Sequence, residues 1–88
     1  MFFDELSRYL SEPFSEMVDY KYYVISNKIV CVSGYKKLIS CTKEMVSLGV
    51  KHNVLCIEGI DMRIKELDKS SIVIVGNISR VYLLNEKW

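Results

Sequence analysis

From residue 20 onward the chain alternates apolar and polar positions, and the clearest run lies between residues 54 and 84. Two glycines there stand in equivalent surroundings. Gly59 follows Leu55 and Ile57 and precedes Ile64; Gly76 follows Ile72 and Ile74 and precedes Val81. A weaker copy runs through Val30, Val32, Gly34 and Ile39. A period of two is the strand period, because successive side chains point to opposite faces. A glycine closing an apolar pair marks a bulge or bend, where a residue without Cβ fits at least cost. The predicted unit is therefore strand, glycine bend, strand, and Gly34, Gly59 and Gly76 are its structural glycines.

The same reading predicts strands over residues 21–25, 28–33, 36–42, 44–50, 54–58, 60–66, 71–75 and 78–84. Ser26-Asn27 is a candidate two-residue turn, and Lys51-His52-Asn53 a second turn. Val46, Leu48 and Val50 point one way. Ile60, Met62 and Ile64 are expected inward, with Asp61, Arg63 and Lys65 outward. The run at 71–75 has no polar face, so it should be central or covered on both sides. Residues 78–84 change face between Ile78 and Val81, which requires a bulge. The expected core is Leu55, Ile57, Ile64, Ile72, Ile74 and Val81. Short strands with tight turns point to a mainly β domain over residues 20–88: a small sandwich or partly open barrel of about eight antiparallel strands.

Residues 1–19 read differently. Phe2, Phe3, Leu6, Tyr9 and Leu10 share a stripe at helical spacing, with Asp4, Glu5 and Arg8 elsewhere. Pro13 interrupts the pattern, and Ser11 is placed to cap a second short helix carrying Phe14, Met17 and Val18. An amphipathic helical arm is expected, either packed over the sheet or docked on a partner. Its charge argues against a lipid surface. Residues 1–19 carry five carboxylates and one arginine, a net −4, whereas residues 20–88 carry eleven Lys/Arg against six Asp/Glu, a net +5. Helices that lie on membranes usually carry Lys and Arg on their polar face. The scattered lysines form no basic run, which speaks against nucleic acid.

Half of the 88 residues are hydrophobic. A chain of this size buries only about 60% of its unfolded surface. Two explanations stand: strands covered on both faces, or an apolar surface that meets a partner or a second copy. Tyr20, Tyr22 and Tyr23 join Phe2, Phe3, Leu6 and Leu10 as a candidate interaction surface, since tyrosine is enriched at interfaces. Cys31, Cys41 and Cys56 are odd in number and lie in no C-x-x-C pair, which predicts reduced, semi-buried thiols and a cytoplasmic location. No signal peptide and no apolar run near the ~20 residues of a membrane span is visible. His52 sits in an expected turn without further ligands around it, so no metal site is predicted. No phosphate loop, nucleophile elbow or carboxylate pair appears, so neither a catalytic nor a cofactor-binding residue is assigned, and a non-enzymatic protein is expected.

Leu55, Ile57, Gly59, Met62, Ile64, Ile72, Ile74, Gly76, Ile78, Val81 and Leu83 fall in order on G-x-L-x-I-x-G-x-x-L-x-I and I-x-I-x-G-x-I-x-x-I-x-F, joined by a short polar turn. On these positions the chain resembles the YabP/YqfC family of sporulation proteins. Asn53 replaces the opening glycine. Glu12-Pro13-Phe14-Ser15-Glu16-Met17 is similar to the L-P-x-D-V segment of YqfC-type members, which favours that type. A P-R-I-T segment of the family is replaced by Tyr22-Tyr23-Val24-Ile25, and its E-N-H-K-G stretch by Ser33-Gly34-Tyr35-Lys36-Lys37. The resemblance implies a small non-catalytic bacterial protein made during sporulation, with no cofactor. It further implies a protein partner, a sporulation membrane protein for YqfC-type members, and through it a peripheral association with a membrane. A self-assembling β-protein of spore-coat type, acting as a homo-oligomer, is the alternative.

Overall fold

The computed structural model describes residues 19–88, and the arm expected over residues 1–19, including Phe2, Phe3, Leu6 and Leu10, lies outside them but for Asp19. The described chain is mainly β, with no helix. Six strands follow in order: β1 Lys21–Ile25, β2 Ile29–Ser33, β3 Lys37–Cys41, β4 Met45–Val50, β5 Asn53–Leu67 and β6 Ser71–Leu84. All pairings are antiparallel, in one open sheet of order β1-β2-β6-β5-β4-β3.

The count of six corrects the expected eight, and a single open sheet replaces two separate layers. The reason lies in β5 and β6, each of which runs on through the bend that the sequence reads as a strand end. β2 pairs with the first half of β6, at Ile29↔Val75 through Ser33↔Ser71. β4 pairs with the first half of β5, at Met45↔Glu58 through Val50↔Asn53. The β5–β6 hairpin joins these two half-sheets, and its register shifts at Glu58/Gly59, Ile60/Arg63 and Ile64/Glu66. Bulges bend strands and increase their twist, so the sheet curls over its own inner face. Val30, Val32, Ile72 and Ile74 from one half form a single core with Val46, Leu48, Leu55 and Ile57 from the other. Each of these is at most 1% exposed, which a flat one-layer sheet does not provide. Ile64 and Val81 pack against this core from its margin.

The bend is held by the tips of the two flanking hairpins. Gly76 N donates to Lys28 O at 3.0 Å and Ile78 N to Asn27 O at 2.9 Å. Gly59 N donates to Glu44 O at 3.1 Å and Met62 N to Lys43 O at 2.9 Å. The two halves thus repeat one arrangement: a hairpin tip offers two consecutive carbonyls to the backbone at a glycine bend. At the first tip Lys28 N donates to Ile25 O, and Ser26 and Asn27 both take positive φ (49° and 53°), the signature of a type I′ turn. At the bend itself Gly76 has φ 154°, and a Cβ there would lie 2.8 Å from Met62 Cα. A Cβ on Gly59 would collide with the carbonyl oxygen of Asn77.

The bulge also corrects one inward assignment. Asp61 takes φ 52° between Ile60 and Met62, so Met62 is buried while Ile60 is 60% exposed. Cys31 and Cys56 are buried free thiols, but Cys41 is exposed, because it ends the outermost strand β3.

The segment between β2 and β3 stitches the halves together. Gly34 (φ 89°) donates its N–H to Ser70 O at 2.7 Å, and Lys36 N donates to Gly49 O at 2.7 Å. Between them Tyr35 is buried in the core and its hydroxyl donates to Asp68 O at 3.0 Å. At the far end Trp88 lays its ring on Gly49, where a Cβ would meet ring carbons at 2.6–2.7 Å, and its Nε1 donates to Val50 O at 2.8 Å.

Two substitutions test this frame by thermal melting. Gly76→Val places a side chain in a strained backbone region and against Met62, and is expected to cost about 1–3 kcal/mol. Ile74→Ala leaves a cavity between the half-sheets and should cost about 2–5 kcal/mol. A wild-type melt for Gly76→Val would refute the bend as described.

Candidate protein interface

A strand at the end of a sheet leaves a row of backbone donors and acceptors unpaired, a template for another chain. Among the described residues the two end strands are β1 and β3. They are not equivalent. The β3–β4 pairing slips between Leu38 and Ser40, and exposed Lys36, Lys37 and Lys43 stand on or beside β3. A bulge and lysines are the usual means of blunting an edge. β1 instead pairs with β2 in unbroken register, Lys21↔Ser33 through Ile25↔Ile29. Its sequence Lys-Tyr-Tyr-Val-Ile is strongly strand-forming and has one charge.

The side chains of β1 divide by face. Tyr22 and Val24 stand opposite Val32 and Val30, both core residues, so they continue the inner apolar surface beyond its last covered strand. They are 36% and 41% exposed. Tyr23 stands opposite Cys31 and packs with Ile29 against Cys31 and Val73 on the other face. Tyr20 packs against the main core. The structure therefore places Tyr20, Tyr22 and Tyr23 in three settings and not in one patch, with Tyr22 the member that has open surface. Gly34, at the β2–β3 connection, lies against the backbone of Asp19 and Tyr20 just before β1, whereas Gly59 and Gly76 lie at the hairpin bend. The stretch Ser33-Gly34-Tyr35-Lys36-Lys37 is a crossover whose tyrosine faces inward.

Val24 is the edge residue that reading for tyrosines overlooks; its signal is that it shares the period of Tyr22. Sequence reading also missed a polar cluster on the outer face of the β5–β6 ladder, where Glu58 stands opposite Arg80. Arg80 donates through Nε to Glu58 Oε1 at 2.9 Å and through Nη2 to Oε2 at 3.2 Å. The Tyr82 hydroxyl donates to Oε2 at 2.7 Å, and the guanidinium lies 4.3 Å from the Tyr82 ring centroid. The partners meet only because the register shift at Gly59 aligns 58 with 80, which spacing alone does not reveal. Donated hydrogen bonds from Arg80 and Tyr82 hold the Glu58 carboxyl below the usual carboxylate range. The same hydrogen bond to Glu58 pushes the Tyr82 phenol up to about 12. Both groups face solvent, and the cluster orders the outer face without forming a pocket.

Among the described residues no group of three His, Cys, Asp or Glu is placed to hold a metal ion, and no helix is long and apolar enough to cross a membrane. His52 is an exposed turn residue with φ 66°.

A sequence model of the YabP family matches residues 19–87, all of the described chain but Trp88. The chain belongs to the YabP family. No curated protein and no solved structure shows a match to it. Membership suggests a sporulation-related protein, and the matched span is the curled sheet itself, from the approach to β1 to the residue before Trp88. The YqfC-type features, at residues 12–17, fall outside both that span and the described residues.

The Glu58–Tyr82 contact carries a pH prediction. Tyr82 has a raised folded pKa, so its contribution to stability is complete below the ordinary tyrosine value near ~10. It is lost as pH rises through about 12. Glu58, lowered, contributes at neutral pH and loses that contribution as pH falls through its folded pKa. In ring-carbon NMR, Tyr82 should stay un-ionised through the range where an ordinary tyrosine titrates (about 10). In Glu58→Gln it should titrate in that range; an unchanged Tyr82 would refute the assigned cause.

Proposed function

We propose that this YabP-family protein is a non-catalytic interaction module of sporulation, which joins a protein partner by strand addition at β1. The observation that carries this reading is the contrast between the two edges. β3 is bulged and lysine-flanked, while β1 is regular, aromatic and apolar on the side that continues the core. An added strand would pair with the backbone of β1 and cover Tyr22 and Val24, gaining main-chain hydrogen bonds and apolar burial together. The partner we favour is a sporulation membrane protein with a segment able to extend along β1. This YabP-family protein would then sit in the cytoplasm, at the membrane through that partner. The second reading, self-assembly as a structural β-protein, draws on the same edge, since two copies of β1 can pair with each other.

The test is the single substitution Val24→Lys, which places a charge on the edge and leaves the core intact. Affinity purification from sporulating cells should recover a membrane protein with the wild type and lose it, by about tenfold or more, with Val24→Lys. Light scattering at micromolar concentration separates the readings: a concentration-dependent dimer abolished by Val24→Lys favours self-assembly. Equal recovery of partner by both proteins, with both monomeric, would remove β1 from the account.

A further inference from the structure

The bend opens two edges besides those of β1 and β3. β2 pairs with β6 only as far as Val75, and the tip of its hairpin reaches Ile78. Past that point β6 has β5 on one side and, among the described residues, no strand on the other. β4 likewise leaves β5 at Glu58, and the tip of its hairpin reaches Met62, so the end of β5 is open on its far side. The two edges differ. The end of β5 carries Arg63, Lys65 and Glu66 and a register shift at Ile64/Glu66, which blunt it. The end of β6 pairs in unbroken register from Glu58↔Arg80 to Val54↔Leu84. Its one charge, Arg80, is held by Glu58 of the same chain. Leu83 and Leu84 are 42% and 36% exposed.

Alternation fixes which backbone groups face the opening. Gly59 N points away from β6, to Glu44 O. Successive residues of an antiparallel ladder turn their N–H and C=O groups to opposite sides, so Glu58, Cys56 and Val54 bond toward β6. Their partners Arg80, Tyr82 and Leu84 bond back toward β5, and Val81 and Leu83 turn their N–H and C=O groups to the open side. The side chains of Val81 and Leu83 share the inner face, opposite Ile57 and Leu55 of the core.

We propose that a second copy of this chain pairs with this edge, β6 against β6, antiparallel about Tyr82. Register, charge and exposure choose this occupant. Centred on Tyr82, the pairing sets Val81 opposite Leu83 of the second copy and Leu83 opposite its Val81. All the open N–H and C=O groups of both residues then find partners. Like charges do not meet, because Arg80 stands opposite Leu84 of the second copy. The exposed Leu83 gains Val81 as a neighbour, and the two Tyr82 side chains form an aromatic cross-strand pair. The contact is isologous and closes at two copies. One strand wide, it falls below the roughly 1,200 Å² of a stable interface, so the dimer dissociates on dilution. This contact goes beyond the partner reading and does not rest on it, since β1 and the end of β6 are separate edges.

Sedimentation velocity on the full chain, from micromolar to submillimolar concentration, should show a monomer–dimer equilibrium. Leu83→Lys places a cation at an already exposed position on each side of the axis and should weaken the dimer by about tenfold or more. Val24→Lys should leave it unchanged. A mixture of isotope-labelled and unlabelled wild-type protein needs no variant: filtered NOEs should join Val81 of one chain to Leu83 of the other. A wild-type monomer throughout the range overturns the proposal and leaves this edge to a foreign strand. A dimer that survives Leu83→Lys, or whose inter-chain NOEs lie only on β1, overturns it as well. Failure here leaves the partner reading untouched, because partner capture is read at Val24 and not at Leu83.

Discussion

A 15-residue strand and a 14-residue strand paired as a hairpin would, if straight, be far too long for a domain this small. Their bend at Gly59 and Gly76 is the constraint from which the rest follows. It turns one ladder into the backbone of two half-sheets and brings both inner faces onto one core. Bulges supply the extra length on one strand, and the four carbonyls of Asn27, Lys28, Lys43 and Glu44 accept the N–H groups there. A buried backbone donor left without a partner costs as much as a lost hydrogen bond. The tips of the flanking hairpins are therefore part of the bend and not loops beside it. Lys28 adds a side-chain hydrogen bond to Asn77, next to Gly76.

The same geometry creates the two edges. Among the described residues, a sheet that curls without closing ends in one strand on each side, and the two differ. β3 carries the slip at Leu38/Ser40 and its lysines; β1 carries neither a bulge nor more than one charge. The crossover through Gly34, Tyr35 and Lys36 ties β2 to β3 across the core, so that neither edge is loosely attached. An edge on a rigid frame is a better template than one on a mobile loop, because less ordering is required when a partner binds.

Much of this was legible in the residues. The period-two runs located every strand, and the equivalent surroundings of Gly59 and Gly76 marked the bend. The all-apolar run at 71–75 announced a strand buried on both sides, as Ile72, Val73 and Ile74 are. The candidate site was legible only in part. Tyr22 stood out by its type, but Val24 became an edge residue only once β1 proved to be terminal. Ile60 was misread because one bulge residue, Asp61, resets the alternation, and no local pattern announces a bulge at a non-glycine position.

The sequence by itself determined the strand periodicity, the places where the backbone must bend and the membership of the YabP family, because these depend on residues near one another in the chain. Tertiary structure alone decided that β5 and β6 are continuous and which strand lies at each end. It also decided that Glu58 meets Arg80 and Tyr82, and that Trp88 rests on Gly49. Each of these is a pairing between distant segments. Such pairings are set by register, a shift of one residue sends every following side chain to the opposite face, and here the shifts occur at bulges whose positions depend on the carbonyls of two other hairpins.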